Sequence, residues 1–193
     1  MTKREQFIQW LGDAHAMESG IVTALQKHIA DAKGQPKVRA ALTKHLTETK
    51  RHASEMKKAL SSLGATHPVI KESISKIGSL FVGFVAKAAG DVTVKNAIAD
   101  FATEHLEIAC YKSLIFTATK LGETKIANTC KGILKEEEAM AKALSRQLQG
   151  VNAVYLRSLE NDTAGLKRKS SSVRNKRVQS TSDAKKKRAV RRK

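Results

Sequence analysis

The sequence has few residues that favour strands or interrupt helices. Aromatic residues make up 4% of the 193 residues, and there are two prolines, Pro36 and Pro68. Aromatic residues are enriched in strands, whereas proline breaks helices. Because both are scarce while Ala, Leu, Lys and Glu are abundant, the composition predicts an all-α protein.

The sequence also lacks a zinc-finger cysteine pattern, a signal peptide and a membrane span. Its two cysteines, Cys110 and Cys130, have no metal-finger spacing, and a single pair predicts reduced thiols in the cytoplasm. The N-terminus, MTKREQFIQW, contains no apolar stretch of signal-peptide length. The most apolar window, IGSLFVGFVAKAAG, has about 14 residues, and a bilayer span needs roughly 20. We therefore expect a cytoplasmic protein without a membrane partner.

Positive charge is concentrated at the C-terminus. The net charge is +18, and residues 161–193 hold 13 Lys or Arg against two acidic residues. This segment has too few apolar groups to fold alone, which predicts a disordered tail. Its basic clusters favour DNA or another polyanion without sequence preference, because no aromatic residues are available to stack on bases. The alternative is a tail that only solubilises the protein. The predicted nucleic-acid-binding residues are Lys167, Arg168, Lys169, Arg174, Lys176, Arg177, Lys185, Lys186, Lys187, Arg188, Arg191, Arg192 and Lys193.

Apolar residues recur at helical spacing in four segments of the chain. The pattern predicts helices over 2–33, 36–63, 91–121 and 123–149, with Asp91 as an N-cap and Gly122 as a C-terminal stop. The connection at 68–90 is predicted to contain a short apolar helix. Four long helices of similar length are typical of a bundle.

Each apolar stripe is interrupted near its middle by acidic residues or histidines. An isolated buried carboxylate would normally hold its proton, and a cluster of like charges would be less favourable still. A divalent cation resolves this conflict because it neutralises the carboxylates and uses their oxygens as ligands. The predicted metal ligands are Glu18, Glu48, His52, Glu104, Glu107 and Glu137. The residues expected to support this site through hydrogen bonds are His15, His45 and Tyr111.

The ligand pattern approaches that of dinuclear carboxylate sites. There, two helices give one Glu each and two helices give a Glu-x-x-His pair. Here Glu48 and His52 are four residues apart, and the fourth helix has no histidine, so the second metal position is expected to be carboxylate-rich, weak or empty. The expected cofactor is one or two ions of iron or manganese. No organic cofactor is expected, since the sequence has no phosphate loop or dinucleotide fingerprint.

Four segments carry a family resemblance: DAHAMESGIVTAL, HLTETKRHASEMKKALSSLG, EHLEIACYKSLI and ILKEEEAMAKAL. They resemble the ferritin-like four-helix-bundle proteins, in particular the YciF-like group of bacterial stress-associated proteins, over roughly residues 5–150. The resemblance implies an antiparallel bundle with a helical crossover between helices two and three, a dimetal-type site that usually holds iron, and an association with stress. The corresponding domains are a bundle at 1–155 and a disordered basic tail at 156–193.

Two functions from different classes follow from these features. In the first, the bundle binds iron or manganese and acts as a ferroxidase or a peroxide-consuming oxidoreductase, with the tail holding it on DNA in the nucleoid. In the second, the polar core is hydrogen-bonded and metal-free, and the protein is a nucleoid-associated DNA-binding structural protein. The sequence leaves open whether the chain forms a homodimer.

Overall fold

The described part of the chain is entirely helical. A computed structural model describes residues 1–65 and 91–190, with side chains as far as residue 164 apart from residue 162. Within these residues there are four helices and no strands, which confirms the predicted fold class. The helices are α1 (Lys3–Asp31), α2 (Pro36–Ser62), α3 (Val92–Lys120) and α4 (Thr124–Val190). None of the helices in this part of the chain is long and apolar enough to cross a bilayer.

Local signals mark the start of α1 and the end of α3. Thr2 opens α1 with a capping box, in which the Glu5 backbone N–H donates to Thr2 Oγ1 at 3.1 Å and the Thr2 N–H donates to the Glu5 carboxylate at 2.8 Å. Gly122 ends α3 with a φ of 75°, a left-handed conformation that glycine adopts without strain. Asp91 precedes α3 as predicted, but its side chain makes no capping bond and lies 3.0 Å from Lys95 Nζ instead.

Contacts between the helices define the topology. Glu18 of α1 is bonded to Tyr111 of α3, and His28 further along α1 is bonded to Asp100 earlier in α3, so the two helices are antiparallel. A connection of four residues, 32–35, makes α1 and α2 antiparallel as well. Helices α2 and α3 are therefore parallel although they are consecutive, which is typical of a bundle with one long crossover. The crossover helix predicted within 68–90 lies outside the described residues.

The bundle core consists of two apolar layers with a polar belt between them. One layer includes Phe7, Leu11, Met56, Leu60 and Tyr111, all fully buried. The other layer is built around Ile21, Leu25, Leu42, Met140 and Leu144. At the level between them, the side chains that point inward are carboxylates and imidazoles, all buried. The apolar layers thus close both ends of a polar interior.

Helix α4 continues well beyond its predicted end near residue 149. The helix runs to Val190, and the chain divides into two units, Met1–Val151 and Asn152–Lys193. The sequence predicts disorder from residue 156, whereas the described backbone is helical there. Residues 150–190 contain no proline and two glycines, Gly150 and Gly165, and they are rich in Lys and Arg, which favour a helix. The side chains predicted to bind nucleic acid lie outside the described residues, and the domain boundary after residue 155 stays a prediction.

Candidate metal centre

The polar belt of the bundle contains two groups of side chains that could hold a metal ion. Within each group the candidate ligand atoms lie within 4.8 Å of one another, and all the side chains are buried. Glu137 belongs to both groups, so a single carboxylate joins them. The first group is His45, Glu104, Glu107 and Glu137, and the second is Glu18, His52 and Glu137.

Helical periodicity brings these residues to one level. His45 and His52 are seven residues apart on α2, which is two helical turns, and Glu104 and Glu107 are one turn apart on α3. Helices α1 and α4 supply one carboxylate each. The site therefore has four carboxylates and two imidazoles, which is the ligand inventory of the dinuclear carboxylate bundles, distributed differently over the four helices.

The imidazole nitrogens lie close to the carboxylates of the other helices. His45 Nε2 is 2.9 Å from Glu104 Oε1 and 3.9 Å from Glu137 Oε2. His52 Nδ1 is 2.7 Å from Glu137 Oε1 and 3.7 Å from Glu18 Oε2. Although some of these distances are short, neither nitrogen makes a hydrogen bond of acceptable geometry. The nitrogens and the oxygens converge on the same space rather than pairing with one another.

Many oxygens of the belt have no hydrogen-bond partner. Six buried carboxylate oxygens are unpartnered, including both oxygens of Glu107 and both of Glu137. Buried polar atoms in folded proteins are normally hydrogen-bonded, so such a concentration requires an explanation. Divalent cations provide one, because each unpartnered oxygen is a ligand atom that a metal ion would use. The residues present therefore fit a metal centre.

Burial and neighbouring charges shift the pKa values of the ionisable side chains in the belt. Bound metal ions would neutralise the charges that cause these shifts. Burial raises the pKa of Glu18 to about 8 and that of Glu104 to about 7, and burial together with neighbouring carboxylates raises the pKa of Glu107 well above its ordinary value. Burial lowers the pKa of His52, but the carboxylates around it, Glu137 first, outweigh burial and raise the pKa to about 9. Without metal, these shifts favour the protonated forms of Glu18, Glu107 and His52 at neutral pH. Two divalent cations would balance the charge of four ionised carboxylates beside neutral imidazoles.

The structure brings five of the six predicted ligands into the two groups and leaves Glu48 outside them. The Glu48 side chain is 21% exposed and accepts a hydrogen bond from Lys44 Nζ at 2.7 Å. His45, predicted to support the site from outside, takes an inward position instead. The cause is helical phase: Glu48 lies about 60° around the helix axis from His45, whereas His52 lies only about 20° from it.

The other two residues predicted to support the site differ in their placement. Tyr111 is fully buried and donates its hydroxyl hydrogen to Glu18 Oε1. His15 lies outside both groups, and its Nδ1–H donates to the backbone carbonyl of Ala53 at 2.9 Å, which links α1 to α2. Tyr111 thus orients one of the carboxylates, while His15 has a structural contact.

Sequence reasoning missed one buried polar pair away from the belt. His28 Nδ1 and Asp100 Oδ1 lie 2.6 Å apart, with both side chains less than a tenth exposed. Both residues occupy inward positions of their helices, so the same interruption of an apolar stripe was visible in the sequence.

The two cysteines, Cys110 and Cys130, are free thiols and belong to neither group. Burial raises the pKa of Cys130 to about 12, so this thiol is not reactive.

Comparisons with known proteins give the family. The sequence model of the family described as "Domain of unknown function (DUF892)" matches residues 2–156. The chain belongs to this family. The match ends before the basic tail, so the polar belt lies within the family domain and the residues after 156 lie beyond it.

Solved structures share the fold over most of their length. A protein from Xanthomonas campestris pv. campestris is 26% identical with a TM-score of 0.70, and the alignment covers 83% of this chain and 99% of that one. YcfI from Rhodopseudomonas palustris is 27% identical with a TM-score of 0.59, covering 75% of this chain and 94% of that one. The E. coli stress protein YciF is 24% identical with a TM-score of 0.61, covering 79% of this chain and 98% of that one. The resemblance to the YciF-like group is thereby confirmed.

Proposed function

We propose that this protein binds two divalent metal ions, iron or manganese, in the polar belt and takes part in protection against stress. The observation that carries the proposal is the pair of ligand groups joined by Glu137, with six buried carboxylate oxygens that lack a partner. The first group would hold one ion and the second group the other. The similarity in fold to the E. coli stress protein YciF supports the stress-related part of the proposal.

The residues around the belt would exclude water from a redox-active metal centre and orient its ligands. Bound iron would supply electron transfer to oxygen or peroxide, which is the chemistry of a ferroxidase or a peroxide-consuming oxidoreductase. The apolar layers on both sides of the belt exclude bulk water from the ligands. Tyr111 holds the Glu18 carboxylate in place through its hydroxyl hydrogen. Hard carboxylate oxygens combined with imidazole nitrogens suit iron and manganese.

The test is the metal content of the purified protein, measured by elemental analysis. We expect close to two ions per chain in the wild type and a loss of bound metal in His52→Ala and Glu107→Ala. Matched controls are His105→Ala and Glu138→Ala, which remove an exposed histidine and an exposed carboxylate on α3 and α4. If the wild type contains no metal and its melting temperature is unchanged by ferrous or manganous ions, the metal-free structural protein is the better description.

We further propose that the basic C-terminus binds DNA or another polyanion and so brings the metal centre close to it. Residues 161–193 carry 13 basic and two acidic groups, and such clusters bind phosphates by releasing counterions. Removing iron beside DNA would limit oxidative damage there, which gives the two parts of the chain a common role and implies association with the nucleoid.

The tail proposal is tested by deleting residues 161–193 and measuring duplex affinity against salt concentration. For the full chain we expect log K to fall linearly with log salt, with a slope of about −0.9 for each phosphate neutralised. Duplexes of different sequence should bind alike. The truncated chain should lose both the affinity and the slope, while its metal content stays that of the wild type. Unchanged affinity and slope after the deletion would rule out the tail as the binding element.

A further inference from the structure

We propose that Glu136 is a positioning residue of the metal centre, which holds the His52 ring in the orientation and tautomer that a metal ligand needs. Glu136 belongs to neither ligand group. The inference rests on the proposed metal-binding function and extends it to a residue just outside the polar belt.

The two ring nitrogens of His52 face different neighbours. His52 Nε2 lies 2.6 Å from Glu136 Oε2, at hydrogen-bond distance, while Nδ1 on the other side of the ring faces Glu18 and Glu137. An ionised carboxylate only accepts hydrogen bonds, and this contact is much shorter than the 3.4 Å from Arg51 Nη2 to the same nitrogen, so Nε2 carries the hydrogen and donates to Glu136. In the neutral ring the lone pair is then on Nδ1, the nitrogen that lies inside the second ligand group.

Glu136 is itself held in place from outside the belt. Arg51 on α2 donates a hydrogen bond from Nη2 to the same carboxylate oxygen that accepts from His52. The side chain of Glu136 is 35% exposed and that of Arg51 is 49% exposed, whereas His52 is fully buried. The contacts form a chain from solvent to the ligand, in which each member orients the next. Outer carboxylates of this kind raise the basicity of a ligating histidine and fix its ring.

His45 has a looser version of the same arrangement. Its Nε2 faces the first ligand group, and its Nδ1 lies 3.9 Å from Glu48 Oε2, while the other oxygen of that carboxylate, Oε1, accepts a hydrogen bond from Lys44. This separation is too long for a direct hydrogen bond, so a contact would need a bridging water. Glu48 should therefore have a weaker effect on metal binding than Glu136. Substitutions of Glu136 and Glu48 can therefore be compared by how much each weakens metal binding.

The experiment measures the Zn²⁺ dissociation constant of the full-length protein by competition with a chelator. We expect Glu136→Ala to weaken binding by about 10–100-fold, the usual effect of removing such a partner. Glu136→Gln keeps an acceptor oxygen and should be intermediate, and Glu48→Ala should lose less than Glu136→Ala. Matched controls are Glu138→Ala on α4 and Glu55→Ala on α2, since both carboxylates pair only with lysines. We expect both controls to bind like the wild type.

Nitrogen NMR of the Zn²⁺-loaded protein provides a readout that a purely structural role would not change. The wild type should show a single His52 form with the hydrogen on Nε2, whereas Glu136→Ala should also show a form with the hydrogen on Nδ1, which cannot bind Zn²⁺ through that nitrogen. The metal-free melting temperature of Glu136→Ala should fall by about 2–4 °C for each kcal/mol lost with the hydrogen bond to His52, and Glu136→Gln should restore most of it. If Glu136→Ala binds Zn²⁺ as tightly as the wild type, or weakens only as much as the two controls, the positioning role is excluded and the proposed metal centre stands. If the wild type itself binds no Zn²⁺, the proposed function fails, and the role of Glu136 fails with it.

Discussion

Replacing Glu107 with glutamine should stabilise the metal-free protein. Glu107 is fully buried, neither of its carboxylate oxygens has a partner, and burial raises its pKa well above the ordinary 4.5. At pH 7 the unfolded chain has this carboxyl ionised, so folding without metal must take up a proton. Above pH 4.5 that uptake costs about 1.4 kcal/mol for each further pH unit, up to the pKa of the folded state. Glu107→Gln avoids this cost because an amide has no charge to neutralise.

The sign of the pH dependence follows from the same pKa shift. Because the folded pKa lies above the unfolded pKa, the folded state binds more protons, and the wild-type free energy of unfolding falls as pH rises from 4.5 towards 7. The stabilisation by Glu107→Gln should be close to zero near pH 4.5 and should grow by about 1.4 kcal/mol per pH unit up to the folded pKa. For a chain of this size, each kcal/mol corresponds to about 2–4 °C in melting temperature.

Urea unfolding of chelator-treated protein at pH 5, 6 and 7 measures this difference directly. Glu138→Gln is the matched control, since Glu138 is half exposed and should give no pH-dependent change. With saturating metal the order should reverse, because the wild type gains binding free energy of about 4.1 kcal/mol at a thousandfold excess over the dissociation constant. Equal stability of Glu107→Gln and wild type at every pH, or a less stable variant without metal, would refute the reasoning.

Four further outcomes are expected. Apparent metal affinity should rise with pH up to about 9, because burial raises the pKa of Glu18 to about 8, the carboxylates around His52 raise its pKa to about 9, and the metal must displace both protons; chelator competition at pH 6, 7, 8 and 9 measures this. Tyr111→Phe should lower the stability of the metal-free protein by about 1–3 kcal/mol in urea unfolding, because it leaves Glu18 Oε1 without its donor. Leu25→Ala should cost about 2–5 kcal/mol by opening a cavity in an apolar layer, with metal stoichiometry unchanged. Thr2→Ala should cost about 1 kcal/mol by calorimetry through loss of the capping box, and an unchanged melting temperature would contradict this.

The helices were predictable from the sequence because local chemistry determines them. Helices α1, α2 and α3 end within two residues of the bounds expected from apolar periodicity, Pro36 and Gly122. Periodicity also identified the level of the polar belt, since an interruption at the same depth in four stripes does not depend on the details of packing. The extent of α4 was not predictable in this way, because a basic segment without proline has helical propensity but no apolar stripe to mark its end.

The choice between His45 and Glu48 could not be made from the sequence. Both residues lie near the inward face of α2, and only about 60° of rotation about the helix axis separates them. That rotation is set by packing against the other three helices, where fully buried Thr49 and Met56 fix the face of α2 that points inward. The role proposed for Glu136 could not be predicted from the sequence either. The acidic run at 136–138 is typical of a solvent-exposed helix face, and only the position of His52 in the structure shows that Glu136 contacts its ring.

The position of Glu137 affects how two metal ions would bind to the centre. One carboxylate common to both ligand groups cannot be oriented for one position independently of the other. Metal titration should therefore be cooperative: binding of the first ion should change the affinity for the second, so the two positions should not titrate with two independent affinities. Substitution of this one glutamate would abolish both occupancies together, whereas loss of Glu18 would affect a single one.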